Sequence, residues 1–206
     1  NFKQENLSLG GVMNQMAKSF TAYAAGIASI SVIGGKLAEV TSEAVELAKQ
    51  GEGVRLAFER LNQPGLLDNL REATHGTVTN LELMKAAVQF NDFNLPIKEL
   101  GTMLAFAQQK AKDTGQSIDY LVNSIVTGLG RKSKMILDNL GISATEIDEK
   151  MKKTGDMTKA VGEIIREQMS KTGDYVETAA DRAAQANVSL QNKMDELGRK
   201  FAPLEE

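Results

Sequence analysis

Residues Thr127–Ser143 read TGLGRKSKMILDNLGIS, and the fold turns on whether this stretch is a phosphate cradle or a junction between helices. A phosphate loop follows G-x-x-x-x-G-K-[ST], with lysine directly after the last glycine, so that consecutive backbone N–H groups wrap the phosphates. Here Arg131 separates Gly130 from Lys132, and Ile125 stands where the first glycine belongs. The residues leading in, SIDYLVNSIV, repeat their apolar side chains at helical rather than strand spacing. The spacing predicts a helix ending at Gly130, a second starting near Ser133, and Gly141 closing it. Gly128, Gly130, Arg131, Lys132 and Ser133 are then a helix-junction turn.

The same punctuation recurs on both sides. Thr79 with Glu82 and Ser143 with Glu146 fit the S/T-x-x-E capping box, and Asp174 with Glu177 is an Asp variant of it. Gly76, Gly115, Gly130, Gly141, Gly155 and Gly173 stand where a left-handed residue would end a helix. Pro96 suits a first helical turn, where its missing N–H is not needed. These signals predict helices near 11–33, 36–50, 53–62, 65–74, 80–91, 96–113, 118–129, 133–140, 144–153, 157–171 and 175–201. KTGD occurs at 153–156 and at 171–174. The surrounding residues do not match, so the two copies are similar junctions and not a repeat array. Strand signals are nearly missing; alanine, leucine, lysine, glutamate and glutamine fill most windows, and these residues lose least freedom in a helix. The expected fold is all-α: a compact module of short helices with a longer C-terminal amphipathic helix. Its expected divisions are an apolar helical segment at 1–35, the compact module at 36–175, and the amphipathic helix at 176–206.

Composition narrows the chemistry. The 206 residues can bury roughly 70% of their unfolded surface, enough for an ordinary core without staples. With no cysteine, disulfides, thiolate metal sites and cysteine nucleophiles are excluded. Twenty-four basic against 27 acidic residues give a net charge of −3, which lacks the basic stripe of a nonspecific nucleic-acid binder. The chain opens at Asn1 with neither initiator methionine nor signal pattern, which predicts a piece of a longer polypeptide. The most apolar run, Ala22–Gly35, has 14 residues and three glycines, short of the ~20 a spanning helix needs. It is expected as a buried helix lined with small residues, with membrane perturbation by residues 12–33 as an alternative.

No constellation points to catalysis. His75, in ATHGT, is the one histidine and has no HExxH partner. Asp148 and Glu149 beside Lys150, Lys152 and Lys153 form a mixed-charge face of the kind usually solvated. Arg131, Lys132 and Lys134 are suited to a phosphate or an acidic partner, or to plain exposure. Met13, Met16, Met84 and Met103 occupy apolar helical positions as gap fillers. No cofactor, metal or catalytic residue is expected.

The last helix has the clearest pattern. Ala179, Ala183, Ala186, Leu190, Met194, Leu197 and Phe201 step by 4, 3, 4, 4, 3 and 4, two 11-residue repeats. This spacing keeps an apolar seam nearly straight along a helix about 40 Å long. The stripe is a candidate for packing onto its own domain or for self-association.

The runs LLDNLREATHGTVTNLELMKAA, LAFAQQKAKDTGQSIDYLVNSIVTGLGRKSKMILDNLGIS and RAAQANVSLQNKMDELGRKFAPL together resemble the helical region of phage tail tape measure proteins. That family shows, in order, a T-G-x-S segment, a G-x-G-R-x-S turn, an L-D-N-L-G-I close and an alanine-rich helix ending in A-P-L. Here these are Thr114–Ser117, Gly128–Ser133, Leu137–Ile142 and Ala202–Leu204. The likeness covers roughly residues 52–204. It implies a non-enzymatic virion component that lies as several copies, a trimer by resemblance, in the lumen of the tail tube, sets tail length and leaves ahead of the genome. It implies assembly in the bacterial cytoplasm, tail tube and tail tip proteins as partners, no specific nucleic acid, and membrane contact only through parts outside this segment. The glycine-punctuated pattern departs from a ruler's long rod, so this segment is expected to be a folded module. The alternatives are a cell-wall-lytic or a membrane-perturbing module of a tail protein.

Overall fold

Every regular element among the described residues is helical. The structure, a computed structural model, describes residues 33–173 and 175–201, with the helix but not the side chains given for 33–42. The helix expected at 11–33 and its membrane-perturbing alternative, most of the 1–35 segment, Met13, Met16, the Asp174 cap and the closing A-P-L lie outside these residues. The chain divides into two units, 1–40 and 41–206. Of the first, the described part is helical; everything below concerns the second.

The helices are α1 (Ile33–Arg60), α2 (Leu66–Ala73), α3 (Asn80–Asp92), α4 (Leu100–Thr114), α5 (Ile118–Gly130), α6 (Lys134–Asp138), α7 (Ala144–Thr154), α8 (Met157–Thr172) and α9 (Ala179–Phe201), with a 3-10 turn at Ile97–Glu99 ahead of α4. Most boundaries fall within a residue or two of expectation because local chemistry sets them. Thr79 caps α3 by accepting from the Glu82 N–H at 3.3 Å, and Asp156 caps α8 by accepting from the Lys159 N–H at 2.9 Å. Ser143 occupies the cap position of α7 without a side-chain bond.

Three expectations are corrected. The break at residues 51–52 is absent: α1 runs through Gly51 and Gly53. A glycine inside a helix costs about 1 kcal/mol but does not stop it, and Gly51 makes room for the Arg55 side chain and for Leu81. Gly130 is not the left-handed terminator of α5. Gly76, Gly115, Gly141, Gly155 and Gly173 do have positive φ, but Gly130 is helical and Lys132, at φ 51°, takes the left-handed place. The last helix starts at Ala179, not 175, on a T-x-x-D capping box: Thr178 Oγ1 accepts from the Asp181 N–H at 3.2 Å, and Asp181 Oδ2 accepts from the Thr178 N–H at 2.7 Å.

The core sits around α4, which packs against α2, α5 and α8. Phe90, Met103, Phe106, Leu121, Leu137 and Ile164 are buried there, at most 2% exposed. At about 25 cal/mol per Å² of apolar surface removed from water, each large side chain contributes about 1.5–3 kcal/mol. The consequence for function is that short helices are fixed in place by a shared core while α9 lies along its flank.

Candidate interaction surfaces

At the α5–α6 junction the two glycines serve close approach. A Cβ on Gly128 would lie 2.8 Å from Leu137 Cδ2, and one on Gly130 would run into the Phe93 ring. Gly128 therefore lets α6 fold back onto α5, and Gly130 lets Phe93 lie flat against the helix end. The Arg131, Lys132 and Ser133 N–H groups donate to Thr127, Leu129 and Gly128 carbonyls at 2.9, 3.1 and 2.7 Å. Backbone donors already used to close a helix cannot wrap a phosphate, so the junction is no nucleotide cradle. Ser133 caps α6, its Oγ accepting from the Ile136 N–H at 3.4 Å. Lys134 pairs with Asp148 of α7, whereas the Arg131 and Lys132 side chains are exposed and make no ion pair or hydrogen bond among the described residues.

Helix α9 rests on the body through its polar side. Arg55 of α1 donates to Asp195 at 2.8 Å, the Asn80 N–H donates to Asn192 Oδ1 at 2.9 Å, and Gln185 Nε2 donates to the His75 carbonyl at 2.9 Å. The Asn80 N–H is one of the first donors of α3 and has no acceptor within its own helix, so Asn192 supplies it across the interface. Val188, Gly198 and Phe201 are buried in the same contact region. At 100° per residue, Asp181, Gln185, Val188, Asn192 and Asp195 share one face, and the apolar stripe lies opposite. Ala179, Ala183 and Ala186 are exposed, Leu190 is 37% exposed, Met194 and Leu197 are half-buried, and Phe201 is buried. Apolar periodicity therefore marks the outward face of most of this helix. The signal that would have found the seated face is the recurrence of short polar residues, Asp181, Asn192 and Asp195, on one side.

A polar clasp holds the start of α9. The Lys112 ammonium lies 3.1 Å from Asp181 Oδ2 and 4.5 Å from the centre of the Tyr175 ring, and it also donates to the Val176 carbonyl. Tyr175 is also stacked on His75, at 3.6 Å between centroids and 9° between planes. Burial acts against ionisation of Asp181, but the Thr178 hydroxyl and N–H and then Lys112 outweigh it and hold the carboxyl down at about 2. Burial, and next the Asp181 charge, push the Tyr175 phenol upward; its hydroxyl is buried with no partner in hydrogen-bonding geometry. His75 thus serves as a stacking platform that joins the α2–α3 turn to the segment leading into α9.

The clefts are shallow. One of about 590 Å³ between α9 and the α2–α3 turn includes Arg71, His75, Asn80, Lys193 and Arg199, of which His75 and Asn80 are engaged in the contacts above. A smaller one, about 190 Å³, includes Glu82, Lys85 and Asp119. Burial first, and then the Asp119 charge, raise the Glu82 carboxyl; the Thr79 hydroxyl, bonded to it at 3.0 Å, and Lys85 oppose them. Among the described residues no group of three or more His, Asp or Glu is arranged to hold a metal ion, and no helix is long and apolar enough to cross a membrane. Comparison with protein-family models, with curated proteins and with solved structures finds no match.

Proposed function

We propose that this chain is a folded, non-enzymatic module of a phage tail tape measure protein. The observation that carries the proposal is the ordered set of motifs from Thr114 to Leu204. In it, T-G-x-S, G-x-G-R-x-S and L-D-N-L-G-I fall on successive helix junctions and an alanine-rich helix follows. An all-α body accords with it, although the longest described helix is α1, at 28 residues, and not α9, at 23. In this role the exposed stripe of Ala179, Ala183, Ala186 and Leu190 packs against the two other copies of a trimer, the state the resemblance implies, while other faces meet tail tube or tail tip proteins in the lumen of the tail.

The physical test is length. As a continuous helix, residues 41–206 would extend about 250 Å at 1.5 Å per residue. A compact unit of that size spans on the order of 40 Å. Deleting the unit from the parent gene should shorten tails by on the order of 40 Å, and duplicating it in tandem should lengthen them by a similar amount, as measured in electron micrographs. Changes near 250 Å, or none, would exclude the folded-spacer role.

One observation favours the cell-wall-lytic alternative: Glu82, with its raised carboxyl, shares a cleft with Asp119. A general acid with a nearby carboxylate is what glycoside hydrolysis uses. Yet the cleft, at about 190 Å³, is smaller than the roughly 300 Å³ at which ligand sites begin, and the Glu82 carboxylate already accepts from the Thr79 hydroxyl at 3.0 Å. Clearing of a peptidoglycan suspension by the full chain, abolished in Glu82→Gln, would establish lysis; no clearing retires it.

A further inference from the structure

The geometry points to the α5–α6 junction as a docking knob for an acidic protein partner bearing an apolar socket. Around this junction the surface carries two cations with no ion pair among the described residues and two uncovered apolar groups, one of them brought in from the end of α3. Arg131 and Lys132 are the cations; the neighbouring Lys134 is neutralised by Asp148. Met135 is 84% exposed, more than any other large apolar side chain among the described residues, and Phe93 is 39% exposed where it lies against Gly130. An exposed methionine on a five-residue helix is an adaptable anchor, since its unbranched thioether fits irregular sockets.

The backbone presents this knob at a cost. Lys132 holds φ 51°, a conformation glycine adopts freely and lysine does not. The six-to-one bond from Ser133 N–H to Gly128 carbonyl at 2.7 Å fixes it there. Gly130 is needed because a side chain would displace the Phe93 ring. Together these fix the Lys132 backbone and keep one face of the aromatic against the helix end.

Charge complementarity selects the occupant. The chain as a whole is acidic, with net charge −3, so an excess of unpaired positive charge at one turn favours an acidic surface. An anionic membrane is disfavoured, because surface attraction usually takes clusters of four to eight basic residues. Nucleic acid is disfavoured because two free cations neutralise few phosphates and the junction's N–H groups are already bonded. This assignment does not depend on a tape measure role.

The test uses the full chain and three probes: a fluorescent amphipathic helical peptide with glutamates flanking leucines, the same peptide with lysine for glutamate, and vesicles containing phosphatidylserine, with single-stranded DNA as a further competitor. Anisotropy should show the glutamate peptide binding, weakening with salt. The double variant Arg131→Glu/Lys132→Glu should bind it about tenfold more weakly and prefer the lysine peptide, as expected for two exposed ion pairs of up to about a tenfold effect in combination. Met135→Ser should weaken binding several-fold while leaving the thermal melt unchanged. Equal binding of both peptides, indifference to the double variant, absence of binding at millimolar peptide, or a preference for vesicles or DNA would each overturn the assignment.

Discussion

The contact between α9 and α1 makes Gly198→Ala and Gly53→Ala opposite in sign, although both place alanine inside a helix. In an exposed helix interior, replacing glycine by alanine stabilises by about 1 kcal/mol. Gly53 meets this condition: nothing lies within 4 Å of a Cβ built there. At Gly198 the added carbon would overlap the Ala44 carbonyl of α1 and lie 3.0 Å from the Ala48 Cβ. A backbone atom cannot rotate away as a side chain does, so α9 must move off α1. Overpacking of this kind costs about 1–3 kcal/mol, and displacement would also stretch the Arg55–Asp195 pair, 2.8 Å apart and mostly buried. With the helix-propensity gain subtracted and the strained ion pair added, Gly198→Ala should lower stability by about 1–2 kcal/mol, or about 2–8 °C in melting temperature for a chain of this size. Gly53→Ala should raise the melt by a few degrees. Thermal and urea unfolding followed by circular dichroism at 222 nm measure both. A Gly198→Ala protein as stable as its parent would show that α1 and α9 do not approach as closely as described.

Asp181→Asn should remove part of the acid dependence of stability. Its folded carboxyl titrates at about 2, below the ordinary 3.8, so its contribution of about 2 kcal/mol is present above pH 4 and is lost as pH falls from about 4 through 2; urea midpoints across pH 2–6 would flatten in the variant. Asn192→Ala leaves the Asn80 N–H without its acceptor and should cost about 1–3 kcal/mol, read from the urea midpoint. Ala183→Glu with Leu190→Glu should change unfolding by less than about 0.5 kcal/mol per site yet abolish concentration-dependent association in light scattering; association that survives would remove the outward stripe from the self-contact. Leu121→Ala, at 0% exposure in the core, should cost about 2–5 kcal/mol, detectable as a loss of most cooperative unfolding.

Helix existence and helix ends were legible in the amino-acid order because they rest on interactions spanning three to six residues. Thr79 and Asp156 cap as their types require, and Gly115 and Gly155 end helices at φ 70° and 68°. Where several local solutions cost nearly the same, the order of residues did not decide. Lys132 and not Gly130 takes the left-handed place, because Gly130 is needed under Phe93, 37 residues earlier in the chain. Gly51 does not break α1, because Arg55 lies over it and reaches Asp195. The seated face of α9 is the largest case. Periodicity shows that a helix has an apolar stripe but not what covers it, and here Asn80, Arg55, Lys112 and the His75 carbonyl supply polar partners to the opposite side. Local hydrogen-bonding rules determine where each helix begins and stops; which side of it meets a neighbour is decided only when distant donors, acceptors and ring faces are brought within contact distance.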